Sequence, residues 1–193
     1  MKKSEATRHM ILQKAFELIY VKGYQATSID DILATTKVTK GAFYYHFRNK
    51  EEMGLAVISE ILKPVSFIDS VHHSGDPLES IYLLMRRLLL EDDFLKMEYG
   101  CPVANFTQEM APWHAGFSKV LDELARQWTE AMSSIIEEGK DRGLIRKEVD
   151  AMQVTRFVLS GYWGIRNIGK LENSKSVYLS YLKELKNYLN TLR

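Results

Sequence analysis

Thr27-Ser28-Ile29-Asp30-Asp31-Ile32-Leu33-Ala34-Thr35-Thr36-Lys37-Val38-Thr39-Lys40-Gly41-Ala42-Phe43-Tyr44-Tyr45-His46-Phe47 reads as two short helices joined by a tight turn. Ser28 is a good N-cap, and Asp31 three residues later completes a capping-box-like pair that fixes where the first helix starts. Ile29, Ile32 and Leu33 give that helix one apolar face, and Thr35-Thr36-Lys37, with no apolar continuation, ends it. A turn of about three to four residues is what a helix-turn-helix requires. In the second helix Phe43 and Phe47 share one face at i, i+4, while Lys40 and Tyr44 share another. One face packs and the other is presented. Gly41 costs roughly 1 kcal/mol of helix propensity relative to Ala, so its use in so short a helix points to something large approaching the backbone, such as a base edge or a sugar-phosphate chain. Lys40 can donate to guanine or phosphate, and Tyr44, Tyr45, His46 and Lys50 supply further donors for phosphate oxygens. The competing interpretation is an ordinary amphipathic hairpin with a solvated polar face. The joint pattern of caps, turn and donors argues against it.

Outward from this stretch, Leu12, Ala15, Phe16 and Ile19 repeat at helical spacing, and Gly23 stops that helix. A helix from about Lys50 to Leu62, ending before Pro64, would link head to body. After a polar break at His72-His73-Ser74-Gly75, Asp76-Pro77 places an N-cap before a proline at the first helical position and opens a helix through Leu90. Pro102 and Pro112 bracket a short helix, and a long amphipathic segment runs from Trp113 to about Arg142, ending at Gly143. Asp150 caps a helix reaching Gly169, and Ser174 or Ser176 begins the last one. No strand alternation competes. The expected fold class is all-α, with a DNA-binding domain at 1–50, a linking helix at 51–64 and a helical ligand-binding and dimerisation domain at 65–193.

The net charge of +1 argues against nonspecific adhesion to nucleic acid, but its distribution is uneven. The first fifty residues carry nine Lys/Arg against four Asp/Glu, a balance of +5, which leaves −4 for the rest. A basic head on a neutral to acidic body is the asymmetry of a DNA-binding protein. No stretch approaches the ~18 apolar residues of a membrane span. The basic N-terminus leads into an amphipathic helix rather than a signal peptide, so a cytoplasmic protein without a membrane partner is expected. The lone Cys101 suits a reducing compartment.

Ala15, Phe16, Gly23 and Tyr24, then Thr27-Ser28-Ile29, then Gly41 through Phe47, and Asn49-Lys50-Glu51-Glu52 follow one another in an order that resembles the TetR family of bacterial one-component transcriptional regulators. The resemblance is specific over the first sixty or so residues. It implies an all-α homodimer in which a small ligand bound in the C-terminal domain moves the paired DNA-binding domains apart. It also implies that Thr39, Lys40 and Gly41 approach bases and that Tyr44, Tyr45, His46 and Lys50 contact the DNA backbone, with Ser28 at the start of the first helix joining that set. A twofold dimer predicts a palindromic operator of double-stranded DNA.

For dimerisation, Ser160, Gly161 and Gly164 remove bulk beside Trp163, and Tyr178, Leu182, Leu185 and Leu189 form a stripe at helical spacing. Burial of both surfaces within the monomer is the other possibility on composition. For an inducer pocket, the aromatics Tyr99, Phe106, Trp113, Phe117, Trp128, Phe157, Tyr162 and Trp163 are candidates for lining, though most such groups are core. Asn105, Gln108, Glu109 and Arg166 are the polar candidates, Arg166 being suited to an anionic ligand or equally to an internal carboxylate. Cys101 precedes Pro102 and is a plausible N-cap of the short helix, where the helix dipole favours thiolate. Gly100-Cys101 with Asn105 also resembles a pattern in TetR-like regulators, some of which respond to electrophiles through cysteine. A buried small side chain is the plainer reading of a free Cys. No third group orients Cys101 with His114, and no nucleophile elbow is present, so catalysis is not expected. No cofactor or metal is expected either; His72-His73 reads as a polar loop. A DNA-bound structural or adaptor protein of the same fold, recruiting a protein partner without an inducer, is the alternative function.

Overall fold

The computed structural model of the chain describes residues 3–63 and 75–193. Among the described residues every regular element is helical: α1 (Lys3–Lys22), α2 (Ile29–Thr36), α3 (Lys40–His46), α4 (Lys50–Val57), α5 (Pro77–Leu90), α6 (Pro102–Met110), α7 (Ala115–Asp141), α8 (Ala151–Glu172) and α9 (Lys175–Asn190). A five-residue π-helical stretch, Ile58–Leu62, follows α4, and a 3₁₀ turn, Met97–Tyr99, precedes α6.

The chain divides into two compact units, one drawn from Met1–Val65 and Pro102–Leu124, the other from Ser66–Cys101 and Ala125–Arg193. Residues 102–124 belong with the N-terminal helices because Phe106 and Phe117 are buried against Tyr24, with ring centroids 6.1 and 4.9 Å away. In this unit α1 buries Leu12, Ala15, Phe16 and Ile19, the stripe expected of it. Gly23, at φ +92°, then turns the chain in a conformation that side-chain-bearing residues rarely adopt. Gly54 of α4 allows close approach of aromatic rings: a Cβ there would lie 2.5 Å from Tyr24 Cε2 and 2.8 Å from Phe117 Cζ.

The linking segment is helical as expected, but its second half is widened. Lys63 N donates to Ile58 O at 2.9 Å, an i−5 bond. Pro64 and the His72-His73-Ser74 break lie outside the described residues.

In the second unit Asp76 caps α5, accepting from Leu78 N at 2.9 Å, with Pro77 at the first helical position. Asp150 caps α8 through Gln153 N at 2.9 Å, and Ser174 caps α9. Helix α7 starts at Ala115 rather than at Trp113, and Gly143 follows its end at φ +70°. Helix α8 runs three residues past Gly169, because the left-handed residue that ends it is Asn173 at φ 47°. Gly169 is an interior packing position: a Cβ there would meet Tyr178 Cε1 and its hydroxyl oxygen at 2.6 Å.

The α9 stripe is corrected by the structure. Tyr178, Leu182, Leu185 and Leu189 are buried within the chain, where α9 packs on α5 and α8. On α8 and α9 the large apolar groups that are exposed include Phe157, Ile168, Leu171 and Leu179. Gly161 meets the Tyr181 hydroxyl of its own chain, whereas a Cβ at Gly164 would meet nothing within 4 Å.

Candidate nucleic-acid interface

The helix pair is built by short-range hydrogen bonds. Ser28 Oγ accepts from Asp31 N at 3.1 Å, and Asp31 Oδ2 accepts from Ser28 N at 2.8 Å, the full capping box. Lys22 donates to the same Asp31 oxygen at 2.7 Å. That bond first, and those from Ser28 next, hold the Asp31 carboxyl well below the usual carboxylate range. At the other end of α2, Lys37 adopts φ 56°, and the buried Thr36 hydroxyl donates to Ile32 O at 2.9 Å while accepting from Val38 N at 3.3 Å. Thr39 then caps α3, its Oγ1 accepting from Ala42 N at 3.2 Å.

Each capped end leaves few backbone donors unsatisfied, so α3 can sit at the surface without the support of a long helix. Its buried face is Phe43 and Phe47, which touch at a centroid distance of 5.6 Å, with the Arg8 guanidinium 4.8 Å over the Phe47 ring. Its opposite face is open. Tyr44 is 46% and Tyr45 77% exposed, Lys40 and Gly41 are exposed, and a Cβ at Gly41 would meet nothing within 4 Å. The fold itself makes no demand for glycine there. His46 is half-buried with its ring edge-on to Tyr45 at 5.0 Å.

Lys50, expected as a DNA-backbone contact, also bonds within its own chain. It is half-buried; its Nζ donates to Gln25 O at 3.1 Å and lies 4.4 Å over the Tyr24 ring. Burial lowers its pKa, against the upward pull of Glu109 and Asp31. Two basic groups not singled out in the sequence are better presented: Lys37 in the turn, and Arg48 just beyond α3, whose side chain is 92% exposed. Their signal was available in the positive charge flanking the capped helix. Asn49 caps α4 through Glu52 N at 2.8 Å, and Glu52 returns a bond from Arg48 N at 2.8 Å, which fixes the backbone from which Arg48 projects.

The eleven ligand candidates fall into two sets. In the first unit Phe106 and Phe117 are core, and Glu109 accepts from the Tyr24 and Gln25 N–H groups. Asn105, Phe106 and Glu109 converge with Ile19, Tyr20 and Pro102 on a cleft with room for about one water molecule. Trp113 is 80% exposed. In the second unit Cys101 and Trp128 are buried, and Tyr99 is half-buried in the 3₁₀ turn. Phe157 is 58% exposed and packs on Tyr188 at 4.6 Å. Arg166 is 1% exposed and donates to Lys96 O at 3.0 Å and to Gly100 O. On α8 the Trp163 indole N–H and the Thr155 hydroxyl are buried without a hydrogen-bond partner among the described residues.

A capped helix pair that presents cationic, phenolic and imidazole groups from a small helical unit defines a helix-turn-helix DNA-binding regulator. The family described as "Bacterial regulatory proteins, tetR family" matches residues 11–57, and "Tetracyclin repressor-like, C-terminal domain" matches residues 83–184. The chain belongs to the TetR family of DNA-binding transcriptional regulators. It is similar to an uncharacterized HTH-type transcriptional regulator in the lacX 3′ region of Lactococcus lactis, 36% identical over 121 residues, covering 61% of this chain and 62% of that protein. The match thus spans less than two thirds of that relative's length. The HTH-type transcriptional repressor DhaR of a Mycobacterium species is 24% identical over 168 residues, covering 87% of this chain and 84% of the relative. A TetR-family regulator from Cytophaga hutchinsonii has the same fold, with a TM-score of 0.88 at 22% identity over 100% of this chain and 98% of that one. No described helix is long and apolar enough to cross a membrane.

Proposed function

We propose that this chain is a ligand-responsive repressor that binds a palindromic operator as a homodimer and is released by a small molecule. The observation that carries the DNA-reading part is the open face of α3: Lys40, Gly41, Tyr44 and Tyr45 exposed on a helix whose other face is locked by Phe43 and Phe47. Thr39, Lys40 and Gly41 are assigned to base edges, and Tyr44, Tyr45 and His46 to phosphates, with Lys37 and Arg48 added and Ser28 acting as the cap that aims α2.

Dimerisation is assigned to the exposed face of α8. Phe157, Gly164, Ile168 and Leu171 fall at i, i+7, i+11 and i+14, one stripe of a helix. The repressor sense is supported by the name of the Mycobacterium relative. Ligand response is supported by Thr155 and Trp163, whose buried donors each cost about 1–3 kcal/mol if left unpaired and would be satisfied by an acceptor entering from outside the chain.

The test is selection from a random duplex library with the full chain. An enriched palindrome whose half-sites lie one helical turn, about 34–36 Å, or a multiple of it apart supports the reading. Enrichment of a single unpaired half-site, or of none, contradicts it. A thermal-shift screen of small molecules separates the inducible regulator from an adaptor, since a ligand at a hundredfold excess over its dissociation constant stabilises by about 2.7 kcal/mol.

A further inference from the structure

Beside the reader, one contact joins α6 to the turn that launches α2. Gly23 leaves α1 in the left-handed region, and the N–H groups of Tyr24 and Gln25 follow it. Successive N–H groups next to a left-handed residue form a concavity that attracts anions. Here the anion is internal. Glu109 Oε2 accepts from Tyr24 N at 2.9 Å, and Oε1 accepts from Gln25 N at 2.6 Å. A Cβ at residue 23 would lie 3.1 Å from Oε2, so Gly23 supplies both the turn and the room for the carboxylate.

The same three residues are gripped from other sides. Lys50 holds Gln25 O, and the Tyr24 ring is packed against both Phe106 and Phe117. Burial first, and then the charges of Glu51 and Glu109, push the Tyr24 hydroxyl up to about 12. From Gln25 the chain reaches the α2 cap, Ser28, within three residues, by way of buried Thr27, whose hydroxyl donates to Gly23 O at 2.7 Å. Ring packing tolerates rotation, but a carboxylate shared by two neighbouring N–H groups is directional.

We propose that Glu109 is a positioning residue for DNA reading: its carboxylate fixes the α1–α2 turn and thereby the direction in which α2 delivers α3, which gives α6 a direct hold on the reader. The inference rests on the DNA-reading role of α3 proposed above.

The probes are the full chain, the duplex that the wild type enriches from a random library, and a scrambled duplex of the same composition, followed by anisotropy at fixed salt. Glu109→Ala is expected to weaken the enriched duplex about tenfold, with scrambled-duplex binding changed less than about twofold, because the loss is of alignment and not of charge facing DNA. Glu109→Gln keeps the size and one acceptor oxygen and is expected to lose about threefold, which makes it the informative variant if Glu109→Ala does not fold. Amide exchange at Tyr24 and Gln25 is expected to accelerate in both. If the folded variants bind the enriched duplex as the wild type does, or lose both duplexes equally, Glu109 does not position the reader. If the wild type enriches no duplex, the DNA-reading role itself fails, and the positioning role falls with it.

Discussion

The α2–α3 pair and the α8–α9 pair are both two-helix units, yet they are specified by different physics. In the first, nearly every determinant lies within four residues of the position it governs: Ser28 with Asp31, Thr39 with Ala42, Phe43 with Phe47. In the second, the determinants are contacts between distant residues, such as Gly169 under Tyr178, Gly161 under Tyr181, and Arg166 tied to Lys96 and Gly100. Local capping can present a polar face without a large core behind it. A helix pair held by packing hides its most regular apolar stripe and leaves a second, less regular one outside.

The largest effects should come from the hidden stripe. Leu185, 3% exposed, is expected to cost about 2–5 kcal/mol when replaced by Ala. Leu171→Ser, at a position 86% exposed, should leave monomer stability within about 0.5 kcal/mol while raising the dimer dissociation constant. Denaturant melts at two protein concentrations, with sedimentation equilibrium, check both; equal losses in the two variants would erase the distinction between the two faces.

Glycine substitutions sharpen the contrast next. Gly169→Ala forces Tyr178 to move and should destabilise by about 1–3 kcal/mol. Gly164→Ala meets nothing in its own chain and should be neutral or stabilising by up to about 1 kcal/mol in the monomer, while weakening association if a second copy packs there. Thermal melts combined with size-exclusion chromatography distinguish the cases.

For the α2–α3 pair, Ser28→Ala should cost about 1 kcal/mol through loss of the cap. The smallest effect is in pH dependence. Because the Asp31 carboxyl is held below its ordinary value in the fold, its contribution is complete above about pH 4, the unfolded carboxylate value, and is lost as pH falls toward the lower folded value. Asp31→Asn should therefore flatten the acid limb of the melting temperature against pH and leave the slope above neutrality unchanged. An unchanged acid limb would show that the capping box does not set it.

These differences explain what the sequence disclosed. Helix starts at Ser28, Asp76 and Asp150 are legible because a cap acts on its own first turn. The exposed Lys40 and Tyr44 follow from spacing alone. Glu109 was recognisable as a polar residue near a pocket, but nothing local to it announces that its partners lie 84 and 85 residues earlier in the chain. The reversal at α9 has the same origin: a stripe at helical spacing shows that a face is buried, not which surface buries it. Lys50 matched a family pattern by position, while its engagement with Tyr24 and Gln25 depends on a turn that periodicity does not describe.

The central claim is that the open face of α3 reads DNA, and anisotropy on the selected duplex at fixed salt tests it most directly, comparing the wild type with Lys40→Ala, Tyr44→Ala and Lys50→Ala. The account predicts that Lys40→Ala and Tyr44→Ala, folded and dimeric, lose at least about tenfold in affinity, an effect of about 1.4 kcal/mol, while Lys50→Ala loses less because its ammonium is engaged within the chain. Equal binding by the wild type, Lys40→Ala and Tyr44→Ala would show that α3 is not the reader.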